Sequence, residues 1–207
     1  MTDVDTPRRP IALAIFLIIA GAVGWYSAFE LTLAKFAVLA NPDAALSCNF
    51  GILVQCGANL TSWQGSVFGF PNPLLGLGGF VAPIAVGVAL LAGARFARWF
   101  WIAFTVGIAG ALAFCVWLIG QSIFVLGVLC PWCMVVWAVT IPLFWTVTIY
   151  SLKTGAIPAS ASASGSAPAT ATKFFEKAWG YLPIITFASY LAIAVIAQLR
   201  LDVISYL

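Results

Sequence analysis

Five long apolar stretches, at about residues 11–29, 73–93, 99–120, 131–150 and 181–198, alternate with shorter polar segments. A helix needs roughly 20 apolar residues to cross the hydrocarbon core of a bilayer, so each stretch predicts a transmembrane helix. The first follows Arg8 and Arg9, as a signal peptide would. Its apolar run exceeds the ~7–15 residues of a signal sequence, which predicts a retained helix. The polar segments are unequal. Residues 30–72 form a long loop between the first two spans, whereas the turn between the second and third is short and basic. After the fourth span comes SLKTGAIPASASASGSAPATATKF. Its Ala/Ser/Gly/Pro composition predicts a flexible linker over 153–178. The expected organisation is an all-α integral membrane protein: a four-helix transmembrane bundle over 1–152, the linker, and a fifth transmembrane helix within 179–207.

Composition agrees. Of 207 residues, 63% are hydrophobic and 7% charged, against roughly 25% charged in soluble domains. The net charge of +3 gives no reason to expect a nucleic-acid partner. The basic residues instead set orientation. With the N-terminus in the cytoplasm, Arg8, Arg9, Arg95, Arg98, Lys153, Lys173 and Lys177 fall inside, and only Lys35 and Arg200 outside. This positive-inside bias puts loop 30–72 and the start of the fourth span on the external side.

That orientation sorts the five cysteines. Cys48 and Cys56, spaced C-x7-C, lie in the long external loop. Cys130 and Cys133, in LCPWCMVV, lie at the external end of the fourth span. Cys115 falls mid-span in the third, where it is expected to fill space. Pro131 suits the first turn of a helix, which places Cys130 and Cys133 where free N–H groups and the helix dipole favour a thiolate. Three readings of this pair stay open: a redox pair, half of a four-thiolate metal site with Cys48 and Cys56, or two buried thiols. Histidine is absent from the sequence, which removes the commonest metal ligand and general base. Cys48 and Cys56 read as a structural disulfide or as a shuttle between soluble thiols and a dithiol at the membrane lip.

The rest of the loop is apolar and aromatic. Trp63, Val67, Phe68 and Phe70 predict a lid anchored at the membrane interface, or else an ordinary loop core. Gly57, Gly65 and Gly69 permit tight turns. The Asn59-Leu60-Thr61 glycosylation pattern is read as chance. Asn72, between two prolines, reads as a helix N-cap or as a hydrogen-bond donor aimed into the bundle.

The order C-x7-C, Ser62 six residues after the second cysteine, FGFPNPLLG and CPWC resembles the bacterial homologues of vitamin K epoxide reductase, over about residues 10–152. The resemblance implies a four-helix bundle around a quinone of menaquinone or ubiquinone type. It also implies oxidation of a separate thioredoxin-fold (DsbA-like) extracytoplasmic protein, from a place in the bacterial plasma membrane. By the same resemblance, Cys48 is the partner-facing thiol, Cys56 attacks Cys130, and Cys133 passes electrons to the quinone. Ser62 steadies the region near the quinone, and Asn72 bonds a quinone carbonyl. The animal family has a tyrosine four residues after the last cysteine; here Trp137 stands there, and an indole donates but does not ionise. This departure favours quinone over epoxide reduction. Some relatives carry a thioredoxin-like domain after the fifth helix, and the expectation here is a stand-alone form whose partner is separate. In this form the fifth helix either packs on the bundle or helps dock the partner. The competing expectations are a quinone-epoxide reductase and a non-enzymatic membrane scaffold with a structural loop disulfide.

Overall fold

The computed structural model describes residues 10–156 and 179–206. Most of the expected linker, and Arg8, Arg9, Lys173 and Lys177, lie outside the described residues. The chain is helical, and five of its helical segments are long and apolar enough to cross a membrane. The helices are α1 (Ile11–Ala40), α2 (Gly57–Thr61), α3 (Pro73–Gly79), α4 (Val81–Leu91), α5 (Arg98–Gly120), α6 (Pro131–Lys153) and α7 (Leu182–Leu201). The only β pairing among the described residues is an isolated parallel bridge between Val54 and Leu129.

Helix α1 is longer than the apolar run that predicts it. Thirty residues at about 1.5 Å each make a rod of about 45 Å, longer than the hydrocarbon core is thick. The sequence from Glu30 to Ala40 contains no breaker, and the helix ends where Pro42 forces Asn41 out of the α region; Asn41 is extended, with φ −144° and ψ 108°. Lys35, expected in the external loop, is therefore on α1. It is buried, and its Nζ donates to the Leu60 carbonyl oxygen at 2.6 Å.

The second span is broken into α3 and α4 at Phe80. Pro83 has no N–H to give the Gly79 carbonyl, and Gly78 and Gly79 add little resistance to bending. Helix α5 runs into a π-helical segment, Gln121–Leu126, which Gly127 ends in the left-handed conformation at φ 66°.

Helices α1 and α4 meet closely. A Cβ on Gly87 would lie 2.6 Å from the Ala14 carbonyl oxygen, and one on Gly21 would lie 2.7 Å from Ile84 Cγ1. Small residues of this kind let membrane helices approach and gain dispersion contacts, because lipid supplies no hydrophobic drive between them. Leu13, Leu17, Phe80, Val86, Leu143 and Val147 form the core beside this contact.

The fifth helix docks on α6. Pro142 interrupts α6 and leaves the Ala138 carbonyl without its helical donor; Tyr190 of α7 supplies the replacement, its Oη donating to that oxygen at 2.5 Å. Ala197, Ile193, Leu201 and Val203 then pack around the cluster that holds Cys115, Ile119 and Trp137. Packing on the bundle is one of the two roles expected for this helix.

Candidate functional site

Four cysteines converge at one end of the bundle. Cys48, Cys56 and Cys130 are buried together with Leu31 of α1 and Leu60 of α2, and Cys133 packs beside them. Cys48 and Cys56 form a disulfide, while Cys130 and Cys133 are free thiols. Two of the four thiolates that a zinc site would need are thus bonded to each other. Cys130 Sγ lies 3.5 Å from Cys56 Sγ, although 74 residues separate them.

Backbone pairing fixes this approach. Leu129, the residue before Cys130, donates its N–H to the Leu53 carbonyl at 2.8 Å and accepts from Gln55 N–H at 2.9 Å. Gln55 precedes Cys56, so these two bonds set the segments leading into the two sulfurs side by side. Asn49 Oδ1 accepts from the N–H groups of Cys56 at 3.0 Å and Gly57 at 3.3 Å. Lys35, through Leu60, ties the end of α2 to α1.

Cys130 occupies the N-cap of α6, with Pro131 at the first helical position as the sequence predicts. Its sulfur accepts from the Cys133 N–H at 3.4 Å. A hydrogen bond from the Cys133 thiol is the main cause that lowers the pKa of Cys130. The Cys133 and Trp132 N–H groups add to it, and burial opposes it; the net shift is below the ordinary thiol value. A thiolate is the attacking and leaving species in disulfide exchange.

Cys133 lines a cavity of about 670 Å³ between α1, α2, α3, α4, α5 and α6, within the ~300–1,000 Å³ usual for ligand sites. Most of the wall is apolar, including Phe80, Phe104, Phe114 and Leu143, with Trp137 and Cys115 also on it. Its polar residues include Asn59, Gln64, Asn72, Gln121 and Ser122. An apolar enclosure with a few amides suits a planar, carbonyl-bearing hydrophobic molecule. The fit is supported by Asn59 Nδ2, which is buried without a hydrogen-bond partner among the described residues.

The other expected residues fall as follows. Trp137 is buried on the cavity wall. Asn72 lines the cavity at the N-terminus of α3 but makes no side-chain cap. Its Nδ2 donates to the Gln64 carbonyl at 2.6 Å and its Oδ1 accepts from Val67 N–H at 3.1 Å, so it fastens the loop to the helix and has one amide hydrogen left. Ser62 is beside the cavity wall rather than among its lining residues; its Oγ donates to the Asn59 carbonyl at 2.8 Å. Among the loop aromatics, Phe68 lies on Phe114 and Trp63 on Trp117, both on α5, with ring centroids 5.6 and 5.9 Å apart. Phe68 also lines the cavity, and Trp63, Val67, Phe68 and Phe70 are all exposed. Lys35, Asn59, Gln64, Gln121 and Ser122 were not expected at the site. The signal for the last two was a polar pair closing an apolar span, since polar groups at membrane depth are costly and tend to be functional.

No curated protein and no solved structure matches the chain. The model of one family, described as the vitamin K epoxide reductase family, matches residues 15–148. That range takes in both cysteine pairs, the loop between α1 and α3, and nearly all of the four spans that surround the cavity. The chain belongs to the vitamin K epoxide reductase family, a family of membrane oxidoreductases.

Proposed function

We propose that this protein reoxidises a separate thioredoxin-fold protein outside the cytoplasmic membrane and passes the electrons to a membrane quinone. The reading is carried by one observation: Cys130 lies 3.5 Å from Cys56, while its neighbour Cys133 lines the apolar cavity. The basic residues support an orientation with the N-terminus inside and the cysteines outside, where disulfides persist.

A reduced partner attacks Cys48 of the Cys48–Cys56 disulfide. A second partner thiol resolves the mixed disulfide, leaving the partner oxidised and Cys48 and Cys56 as thiols. Cys48 is only 4% exposed, so the loop carrying it must yield as the partner docks. Cys56 thiolate then attacks Cys130 of an oxidised Cys130–Cys133 pair, and Cys133 leaves as thiolate. Attack by Cys48 on Cys56 releases Cys130. The outer disulfide is restored, and two electrons now reside on Cys130 and Cys133. This outer-disulfide, inner-dithiol pairing is the one in the structure. A quinone held between Cys133, Trp137 and the cavity amides supplies a two-electron, two-proton acceptor. The cavity walls keep water from the thiolate, and the α6 N-terminus stabilises its charge. Trp137 does not ionise, which favours quinone reduction over epoxide chemistry.

The order of the relay is testable by trapping. In Cys56→Ala, Cys48 loses its intramolecular partner. Incubated with an oxidised DsbA-like protein, it is expected to form a mixed disulfide through Cys48, identified by peptide mass spectrometry. An adduct through Cys133 would overturn the order.

A further inference from the structure

We propose that the side-chain amide of Asn59 donates a hydrogen bond to a carbonyl oxygen of the bound quinone, held in place by Ser122 and Ser62. The inference rests on the quinone reading above and assigns a contact within that site.

Asn59 lies on α2, three residues after Cys56 and so about one helical turn from the relay sulfur. It is on the cavity wall. Its Oδ1 accepts from Ser122 Oγ at 3.1 Å, and Ser122 is 2% exposed in the π-helical segment that follows α5. Such segments recur at functional sites because they re-aim side chains out of a regular helix. The backbone around Asn59 is fixed as well. Its carbonyl accepts from Ser62 Oγ at 2.8 Å, and a Cβ on Gly65 would collide with that same oxygen. The oxygen end of the amide is therefore engaged, while the nitrogen end is buried without a partner among the described residues.

The neighbouring amides are differently placed. Asn72 Nδ2 donates to the Gln64 carbonyl at 2.6 Å, and Gln64 Nε2 donates to Gln121 Oε1 at 3.2 Å. An unpaired buried N–H is costly and almost always finds an acceptor. A quinone offers two carbonyl acceptors and no donor, which complements an amide presenting its NH₂. Ser122 and Ser62 are positioning residues in this account, and Asn59 touches the ligand.

The test uses the full-length protein in lipid nanodiscs with a short-tailed ubiquinone carrying ¹³C at its carbonyls. Difference infrared spectra read carbonyl hydrogen bonding, and quenching of tryptophan fluorescence reads binding. Thiol exchange between Cys48/Cys56 and Cys130/Cys133, followed without quinone, reports the integrity of the relay. We expect a downshifted carbonyl band in the wild type. In Asn59→Leu that band is lost and binding weakens about five- to tenfold, as for one hydrogen bond, with thiol exchange unchanged. Asn59→Ala removes the amide without added bulk and is expected to do the same, which covers a folding failure of the leucine variant. A downshifted band retained in either folded variant overturns the Asn59 assignment alone. A wild-type protein that binds no quinone overturns the function reading on which it rests.

Discussion

Gly87→Ala tests the contact that brings α1 and α4 together behind the cavity. A Cβ at this position would lie 2.6 Å from the Ala14 carbonyl oxygen, 2.7 Å from Ile18 Cγ1 and 3.2 Å from Ile18 N. Ile18 can turn its side chain aside, but the Ala14 carbonyl belongs to the α1 backbone and cannot. Ordinary carbon–oxygen contact begins near 3.3 Å, so the helices must part by about 0.7 Å. Overpacking of this kind costs about 1–3 kcal/mol. Alanine returns up to about 1 kcal/mol through its better helix propensity, which leaves a net loss of about 0–2 kcal/mol against the wild type and about 1–3 kcal/mol against a glycine-to-alanine change that meets no contact. The cavity changes too, because α1 contributes Ala28 and Leu31 to its wall and α4 contributes Ala82 and Pro83. Thermal unfolding in one detergent reads the stability, and Gly110→Ala on α5 is the control, since a Cβ there meets nothing within 4 Å. Gly87→Ala is expected to unfold at a lower temperature than Gly110→Ala, and Gly110→Ala at the wild-type temperature or a higher one. Equal stability of the two variants would refute the close α1–α4 packing.

The hydrogen bond from the Cys133 thiol lowers the pKa of Cys130, so its thiolate should form at lower pH than that of an ordinary cysteine. The pH profile of Cys130 alkylation by a small reagent is expected to have its midpoint below the free-thiol value, and Cys133→Ala to move that midpoint up; no upward move contradicts the assigned cause. Lys35→Met keeps the aliphatic stem but deletes the donor to the Leu60 carbonyl. A hydrogen bond to a charged group contributes about 1.5–3 kcal/mol, so amide exchange across Gly57–Thr61 should accelerate at least about tenfold. Unchanged exchange would show that Lys35 does not secure α2.

Much of the architecture was legible because a bilayer imposes a length and a polarity on every span. Both cysteine pairs, their shared end of the bundle and the first-turn position of Pro131 followed from apolar runs and spacing. The end of α1 did not. Glu30 and Lys35 look like loop residues in a hydropathy reading, yet nothing stops the helix before Asn41-Pro42. The break at Phe80 was equally hidden, because glycine and proline in α3 and α4 disturb the helix without interrupting its apolar character. At the site, the chain chemistry of C-x7-C and CPWC was clear, but not the 3.5 Å between Cys56 and Cys130. That distance depends on Leu129 pairing with Leu53 and Gln55, and such pairing carries no composition signal. Asn59 was read as part of a chance glycosylation pattern; only its placement against Ser122 and the cavity gives it another use. Asn72 was expected to cap α3 or point inward; it makes no side-chain cap, and it lines the cavity while its side chain also fastens the loop through Gln64 and Val67. The role of Tyr190 depends on the carbonyl that Pro142 releases one helix away, which no local reading of either residue reveals.

The central claim is that Cys130 and Cys133 exchange electrons with a quinone, and the most direct measurement follows their oxidation state. The protein carrying Cys48→Ala and Cys56→Ala, so that no outer thiol can take up the disulfide, is fully reduced and freed of oxygen in nanodiscs, given one equivalent of a ubiquinone or menaquinone analogue, quenched with acid and labelled with a thiol reagent. The account predicts that the Cys130–Cys133 disulfide forms with equimolar quinol and that Cys133→Ala produces no quinol. Thiols at both positions that persist after quinone is added, or a Cys133→Ala protein that still makes quinol, would contradict it.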